Sequence, residues 1–359
     1  MSQVSLSPNL KKAIEEFKLP ETLGFGNVMA PVMATCTYEN GLWGAVELKP
    51  YGPITMQPNA KVLHYAQEIF EGMKAYRVNG KGPYIFRPDE NFLRFNKSAE
   101  RMAMPHIPHQ IFTQAVFDVT AYCADFVPRR SGESLYLRPF MFASEESLGI
   151  RPSEKFTFMV IASPSGSYFN DGQGLSVYIE RDNCRAFPGG TGFAKTGGNY
   201  AAGLSAAIKT KNLGFVQTLW LDAVHKKYIE EMSGMNVFVV INNELFTSTL
   251  GDTVLDGITR KSLMSLATDM GYKVTETQID IDYLISQIKN GTCTEAFACG
   301  TAAIITPINY FGDANGERYP LYFPEGKISM ILREKLLAIQ EGREVDNYHW
   351  IKTIEPKKI

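Results

Sequence analysis

A stretch rich in serine, glycine and asparagine separates two halves of the chain whose patterns differ. The stretch is SPSGSYFNDGQG, residues 163–174, and small polar residues of this kind are typical of a connecting segment. Because 359 residues are also more than one core usually contains, we expect two domains. The expected boundaries are an N-terminal domain over 1–165, a linker over 166–174 and a C-terminal domain over 175–359.

The first half carries strand and hairpin signals together with helical ones. The strand-like runs VMATCTYE and LWGAVELKP flank Asn40-Gly41, a dipeptide that tolerates positive φ in tight hairpin turns. KAYRV and PYIF form a second predicted hairpin across residues 79–82. Helical spacing of apolar residues predicts two helices, DENFLRFNKSAERMAM and HQIFTQAVFDVTAYCADFV, and the runs SLYLRPFMFAS and KFTFMVIAS predict strands.

The second half alternates strands with helices. The predicted strands are GLSVYIE, FVQTLWL, NVFVVIN, TEAFA and AAIITPINYF. The predicted helices lie in NYAAGLSAAIKTK, from about Ile258 to Met270, in DYLISQIKN and in KISMILREKLLAIQEG. Alternation of this kind is typical of an α/β protein.

Composition and charge exclude several classes of protein. The formal charge is -2, and no basic block interleaves with aromatic residues, so we expect no nucleic-acid partner. No apolar stretch is long enough to span a bilayer and no export signal is visible, which predicts a cytoplasmic protein without membrane contact. The five cysteines include no C-x-x-C pair, which favours reduced thiols. His106 and His109 approach metal-ligand spacing, but neighbouring prolines favour a loop that enters a helix, and we expect no metal.

The most unusual passage surrounds Lys195 with five glycines, in RAFPGGTGFAKTGGNY at residues 185–200. A lysine amine in a water-poor pocket can lose its proton and form an imine with an aldehyde. A phosphate-binding loop is excluded because Ala194 stands where that motif needs glycine, and Lys195 occupies the third glycine of the dinucleotide motif. On spacing alone, a structural turn with an exposed lysine is favoured over catalysis.

Five segments in the same chain nevertheless resemble one known family. GGTGFAKTGGNYAA, EIFEGMKAY, LYLRPFMFASEESLGI, EEMSGMNVFVV and GTAAIITP are similar to segments of the branched-chain amino-acid aminotransferases, among the fold-type-IV pyridoxal-phosphate enzymes. They occur in the family's order and cover the chain from about Phe25 to Pro307. The resemblance implies a smaller N-terminal and a larger C-terminal α/β domain, with pyridoxal 5'-phosphate in the cleft between them, and a homodimer.

The resemblance also assigns the cofactor site. Lys195 would form the imine and then move the substrate's α-proton as base and acid. Glu231, rather than the adjacent Glu230, would keep the ring nitrogen protonated, and Tyr200 would contact the ring oxygen. The phosphate carries about two negative charges and needs cations and backbone amides; the matching positions are Arg94, Arg185, Gly257, Ile258, Thr259 and Thr301.

The implied reaction transfers the amino group of L-leucine, L-isoleucine or L-valine to 2-oxoglutarate by a ping-pong mechanism, giving 2-oxo acids and glutamate. The positions that match the family's side-chain pocket are Phe25, Tyr65, Phe70, Tyr136 and Ile150. Arg138 would bind the second carboxylate of glutamate, and amides at Thr301-Ala302 would bind the α-carboxylate. Tyr136 and Arg138 alternate on one predicted strand, so their side chains point to the same face.

The sequence departs from the family at two places and leaves alternatives open. The stretch after the GTA turn, residues 302–306, lacks the C-x-x-C pair that some members carry, so that form of redox regulation is not expected. NVMAPVM, after Phe25-Gly26, lacks the acidic and histidine residues of some animal members. One alternative is a fold-type-IV relative that acts on D-amino acids or aminodeoxychorismate, which EGMKAY and LYLRP disfavour. Another is a two-domain binding protein without catalysis.

Overall fold

The structure, a computed structural model, describes residues 6–166 and 174–359. Of these, the residues up to 166 and Leu337–Ile359 form one compact unit, and residues 174–336 form the other. The expected linker over 166–174 lies outside the described residues except for Gly166 and Gly174. The end of the chain differs from the expected 175–359 domain because Leu337–Ile359 joins the first unit, which therefore contains more of the chain than the second.

The first unit contains most of the predicted elements of the first half. Its helices are α1 (Pro8–Glu16), α2 (Val62–Tyr65), α3 (Pro88–Arg101) and α4 (His109–Tyr122). Its first eight strands are β1 (Val32–Glu39), β2 (Leu42–Trp43), β3 (Glu47–Pro50), β4 (Glu68–Phe70), β5 (Met73–Tyr76), β6 (Tyr84–Phe86), β7 (Ser134–Ala143) and β8 (Phe156–Ser165).

The second unit alternates strands and helices as predicted. Its helices are α5 (Gly197–Ala201), α6 (Leu204–Asn212), α7 (Ile258–Asp269), α8 (Ile281–Lys289) and α9 (Ile328–Gln340), the last of which continues past the unit boundary. Its strands are β9 (Leu175–Glu180), β10 (Gln217–Leu221), β11 (Tyr228–Met232), β12 (Asn236–Ile241), β13 (Glu244–Ser248), β14 (Val274–Thr277), β15 (Ile279–Asp280), β16 (Cys293–Gly300), β17 (Ile304–Gly312) and β18 (Arg318–Pro320). A final strand, β19 (Ile351–Thr353), belongs to the first unit.

Two predictions about local structure have clear outcomes. The Asn40-Gly41 hairpin is confirmed, since both residues have positive φ, 54° and 80°, and β1 pairs antiparallel with β2 across them. The single helix predicted in NYAAGLSAAIKTK is wrong, because α5 and α6 are separate and Gly203 lies between them. Glycine has the lowest helix propensity after proline, which favours a break at that position.

The sheet of the first unit has the strand order β19-β6-β5-β7-β8-β1-β2, with β3 on β1 and β4 on β7. The alternation of β7 decides which side chains enter the core. Leu135, Leu137 and Met141 are fully buried and belong to the same hydrophobic core as residues of α3 and α4. Tyr136 and Arg138 therefore project to the opposite face, as alternation along a strand requires.

The sheet of the second unit is mixed, with the order β14-β13-β12-β16-β17-β9-β10-β11-β15 and with β18 on β17. Every residue of β12 is buried, which is the pattern of a strand covered on both faces. α8 buries Ile281, Leu284, Ile285 and Ile288, and its cap Asp280 accepts hydrogen bonds from the amides of Asp282 and Tyr283. Within the described ranges, no helix combines the length and apolar character that a bilayer crossing requires.

Candidate active site

The glycine-rich loop holds Lys195 at its end, just before α5. Asn199, a buried residue of α5, fixes the loop: its amide nitrogen donates to the carbonyl oxygens of Thr191 and Ala194, both at 2.8 Å, and its amide oxygen accepts from the Thr191 hydroxyl at 2.8 Å. These three bonds hold the loop backbone against the helix. Lys195 therefore starts from a fixed backbone although its own side chain is only partly buried.

The Lys195 amine donates a hydrogen bond to the Tyr200 hydroxyl, with 2.8 Å between Nζ and Oη. The Tyr200 ring lies beside the turn that follows β11, since a Cβ built on Gly234 would be 3.6 Å from the ring's Cε1. Gly300, at the end of β16, also lies beside that turn, because a Cβ built on it would be 3.6 Å from the Gly234 carbonyl oxygen. The lysine, the tyrosine and the GTA turn are thus neighbours in one unit.

Glu231 lies on β11 with its carboxylate buried. One of its oxygens is 3.1 Å from Nε of Arg185, and the other accepts the Leu255 amide at 2.8 Å. The Arg185 guanidinium also donates to the carbonyl oxygens of Gly192 and Thr253. Because both side chains of this pair are almost fully buried, the charge of each stabilises the charge of the other.

Among the described residues, the Arg185 guanidinium contacts Glu231 and the two carbonyl oxygens of Gly192 and Thr253. The sequence assigns Arg185 to the phosphate, and that assignment stays a prediction. What the structure adds is a guanidinium beside Glu231, the carboxylate that the sequence assigns to the ring nitrogen. A neighbouring cation favours the ionised form of a carboxylate, and Arg185 is such a cation for Glu231.

The lysine loop packs against the loop that precedes α7, backbone to backbone. The Phe193 amide donates to the Asp252 carbonyl oxygen at 3.0 Å. A Cβ on Gly192 would lie 2.7 Å from that oxygen and 2.7 Å from the Thr253 Cα, which no real Cβ tolerates. Gly192 thus permits an approach that a side chain would prevent.

The loop that precedes α7 ends at Gly257, the residue just before the helix. A Cβ there would lie 1.9 Å from the side-chain oxygen of Asn236, whose nitrogen donates to the Leu255 carbonyl oxygen at 3.0 Å. Ile258 and Thr259, the first residues of α7, are buried. The first amides of a helix have no partner within the helix and favour anions, so this helix start can bind a phosphate.

Glu230 differs sharply from its neighbour Glu231. Its side chain is buried, and its Oε2 has no hydrogen-bond partner among the described residues. Burial raises the pKa of Glu230 to about 7, opposed by a hydrogen bond with Thr253 and by the charge of Arg185. The paired carboxylate is therefore Glu231, and Glu230 is largely protonated below neutral pH.

The GTA turn connects β16 and β17 through Thr301, Ala302 and Ala303. Thr301 and Ala302 are partly exposed to solvent. Ile304 follows with a φ of 60° although it is β-branched and 3% exposed. A left-handed conformation is rare for such a residue and persists only where the surroundings hold it. The turn backbone is therefore strongly constrained.

In the first unit, four of the residues assigned to the substrate pocket form one cluster. The Arg138 guanidinium donates to the Tyr136 hydroxyl at 3.0 Å and lies over the Phe70 ring, 4.7 Å from its centroid. Phe25 meets the Tyr136 ring edge to face, with 4.9 Å between centroids. The cluster combines apolar rings with one guanidinium and one hydroxyl.

Tyr65 and Ile150 are not part of that cluster in the described contacts. The Tyr65 hydroxyl donates to the Leu148 carbonyl oxygen at 2.5 Å. The Ile150 side chain is 91% exposed, so it makes almost no packing contact in its own unit. The family resemblance assigns both residues to the pocket, and that assignment stays a prediction.

Arg94, on α3, also belongs to the first unit, unlike the other residues assigned to the phosphate. Its Nε and one terminal nitrogen bind the two oxygens of the buried Glu71 at 2.7 and 2.8 Å. A bidentate pair of this kind holds both groups charged and fixed. Sequence reasoning omitted Glu71, together with Asn199 and Asn236, because a single buried polar residue gives no periodic signal.

Comparison with known proteins agrees with this geometry. Residues 68–311 match the family model described as Amino-transferase class IV. The chain is 42% identical to branched-chain-amino-acid transaminase 1 of Bacillus subtilis, over 92% of this chain and 94% of that protein. It is 44% identical to the branched-chain-amino-acid aminotransferase of Mycolicibacterium smegmatis, over 91% of each.

A solved structure gives the same result at the level of the fold. The branched-chain aminotransferase of the thermophilic archaeon Thermoproteus uzoniensis, crystallised with norvaline, superposes with a TM-score of 0.74 at 25% identity, covering 89% of this chain and 99% of that one. The family match and the fold thus define a class IV aminotransferase. Within that class, the chain belongs to the branched-chain-amino-acid aminotransferases.

Proposed function

We propose that this protein transfers the amino group of L-leucine, L-isoleucine or L-valine to 2-oxoglutarate, with pyridoxal 5'-phosphate as its cofactor. The observation that carries the proposal is the grouping of Lys195, Tyr200 and the Arg185–Glu231 pair within one unit. An amine that can form an imine and a carboxylate beside the ring nitrogen are groups that this chemistry uses.

The residues present fit that cofactor. Lys195 would hold it covalently, Glu231 would hold the proton on the ring nitrogen, and Tyr200 would bind the ring oxygen. The start of α7 at Gly257, Ile258 and Thr259 would supply amides to the phosphate, with Thr301, Arg94 and Arg185 as further predicted contacts. Gly257 allows this helix start to pack against Asn236, because a Cβ there would collide with that side chain.

The cofactor, when bound, supplies an electron sink that accepts the electron pair of the substrate Cα–H bond. The residues of the chain bind and transfer the protons. Lys195, once its amine is free, would take the proton from the substrate Cα as a base and donate it again as an acid. Tyr200 accepts a hydrogen bond from that amine and so limits its orientations. Arg185 lies beside Glu231 and favours its ionised form, which would suit a partner of the ring nitrogen.

The cluster of the first unit supports the substrate part of the proposal. Phe25 and Phe70 offer apolar surface to a branched side chain, while Arg138 and the Tyr136 hydroxyl offer donors to the second carboxylate of glutamate. Amides at Thr301 and Ala302 would bind the α-carboxylate. The cluster of the first unit can then accept either side chain, because the branched one uses the rings and the carboxylate uses the guanidinium and the hydroxyl.

We also propose a homodimer in the cytoplasm. Leu148 and Ile150 are 59% and 91% exposed in neighbouring positions, and exposed apolar side chains of this size favour a protein contact. All five cysteines, each among the described residues, are free, which suits a reducing compartment. Light scattering of the native protein and of Ile150→Asp tests the dimer: a loss of mass in the variant alone supports it, and a monomeric native protein overturns it.

Absorption spectroscopy of the cofactor-loaded protein tests the proposed reaction. Addition of L-leucine alone should convert the cofactor spectrum in a half-reaction, and 2-oxoglutarate should restore it with production of glutamate. Rapid conversion by D-alanine with none by L-leucine would favour a relative acting on D-amino acids. A protein that takes up no pyridoxal phosphate would be a binding protein, and the proposal would be wrong.

A further inference from the structure

Gly72 lies between β4 and β5, buried, and has no room for a side chain. A Cβ built there would lie 2.0 Å from the Tyr136 hydroxyl oxygen, 2.8 Å from Cζ and 3.3 Å from Cε2. Its φ is not in the left-handed region, so the backbone itself would accept alanine. The requirement for glycine at position 72 is therefore one of space, and the tyrosine phenol fills that space.

The backbone at Gly72 is held from both sides. The Glu71 carboxylate accepts the Gly72 amide at 3.2 Å, and the Asn91 side chain donates to the Gly72 carbonyl oxygen at 3.2 Å. Asn91 also donates to Glu71 at 2.7 Å, and the Glu71 amide donates to the Pro139 carbonyl oxygen at 2.7 Å. Since Glu71 is further fixed by Arg94, a Cβ at position 72 would displace the phenol rather than the backbone.

A displaced phenol would take Arg138 with it. The Arg138 guanidinium donates to the Tyr136 hydroxyl at 3.0 Å, and its carbon lies 5.3 Å from the centroid of the Tyr136 ring. Phe25 packs edge to face on the same ring, so the phenol has an apolar neighbour on one side and the guanidinium on another. The position of the guanidinium thus depends on where the hydroxyl can sit.

We propose that Gly72 is a specificity-determining positioning residue: its missing side chain lets Tyr136 hold Arg138 where the second carboxylate of glutamate or 2-oxoglutarate binds. This inference rests on the proposed function of the Tyr136–Arg138 pair. Binding of a carboxylate by a guanidinium depends strongly on geometry, and a misplacement of about 1 Å can cost roughly 100-fold in rate. An apolar wall discriminates far less sharply.

The test measures both half-reactions of cofactor-loaded Gly72→Ala in single turnovers. The second-order rate constant of the half-reaction should fall about 10- to 100-fold for L-glutamate and less than about 5-fold for L-leucine. The loss should lie mainly in the apparent binding constant for the dicarboxylate. Gly52→Ala is the matched control, because a Cβ there has only an ordinary contact of 3.9 Å with the Pro50 carbonyl oxygen.

A double variant makes the test decisive even if Gly72→Ala folds poorly. Gly72→Ala with Tyr136→Ala removes the phenol that the new Cβ would meet, so it should fold and match Tyr136→Ala within about 2-fold for both substrates. Equal losses for leucine and glutamate, or none, in Gly72→Ala would overturn the proposal. So would a double variant that is unfolded or much worse than Tyr136→Ala.

The same experiment distinguishes this proposal from the proposed function. A native protein that gives no half-reaction with L-leucine contradicts the branched-chain activity whatever Gly72 does. If the native protein reacts with both substrates, the branched-chain activity stands. If Gly72→Ala then keeps the native ratio of the rate constants for L-leucine and L-glutamate, Gly72 has no role in specificity.

Discussion

Glu230→Gln should stabilise the protein, and the gain should begin above pH 4.5, where this carboxyl ionises in the unfolded chain, and be complete above about pH 7. The Glu230 side chain is 7% exposed, and its Oε2 has no hydrogen-bond partner among the described residues. Burial raises its pKa from 4.5 to about 7, and the nearby charges of Glu231 and Asp222 act in the same direction. Ionisation of this group is therefore unfavourable in the folded state, and glutamine keeps the shape without the charge.

The magnitude follows from the difference in pKa between the folded and unfolded states. Between pH 4.5 and about 7 the folded protein holds the proton of Glu230 and the unfolded chain releases it, so stability falls as the pH rises through that window. Below pH 4.5 both states are protonated and the effect is absent. At about 1.4 kcal/mol per pKa unit, the full cost above pH 7 is on the order of 3 kcal/mol.

The assay compares urea unfolding of the cofactor-loaded native protein and Glu230→Gln at several pH values between 5 and 8. The difference in the free energy of unfolding should be small at the acid end and should grow towards about 3 kcal/mol in favour of the variant at the alkaline end. Glu21→Gln, at an exposed position, is the control and should show no such growth. A difference that stays constant across this range would refute the reasoning.

Three further predictions concern residues that hold the second unit together. Glu295→Ala should destabilise the protein by about 2–4 kcal/mol in urea unfolding, because the carboxylate accepts hydrogen bonds from the Lys327, Ile328 and Ser329 amides at the start of α9. Glu325→Ala, at an exposed position, is the control and should change the free energy of unfolding little. Equal effects of the two substitutions would contradict this role of Glu295. Arg185→Leu should cost about 3–5 kcal/mol by leaving Glu231 buried without its cation. Adding Glu231→Gln should recover part of that stability, and a purely additive double variant would argue against the pair. Asn199→Ala should lower retention of pyridoxal phosphate on gel filtration by loosening the lysine loop, and native-like retention would show that the loop holds without it.

Features set by neighbouring residues could be predicted from the sequence. Asn40-Gly41 specifies its hairpin because both residues accept positive φ. Tyr136 and Arg138 share a face because side chains alternate along any strand, and the structure adds the hydrogen bond between them. The start of α7 at Ile258 matches the predicted start because apolar residues recur at helical spacing after it.

Features set by residues far apart in the chain could not be predicted in this way. β19 pairs with β6, which brings the end of the chain to the first unit, and no local pattern encodes such a pairing. The collision that keeps Gly72 a glycine depends on Tyr136 of β7, more than sixty residues further along. Asn199 reads as an ordinary helix residue until its bonds to the lysine loop are known. Long-range packing decides these details, whereas local propensity is only a weak guide.

The central claim is that Lys195 carries the cofactor, and covalent trapping tests it most directly. Borohydride reduction of the loaded protein makes a lysine–cofactor bond permanent, and peptide mass spectrometry then locates the added phosphopyridoxyl mass. The account predicts that mass on the peptide containing Lys195, and its loss together with the visible absorption band in Lys195→Ala. A label on another lysine, or an undiminished label in Lys195→Ala, would contradict the account.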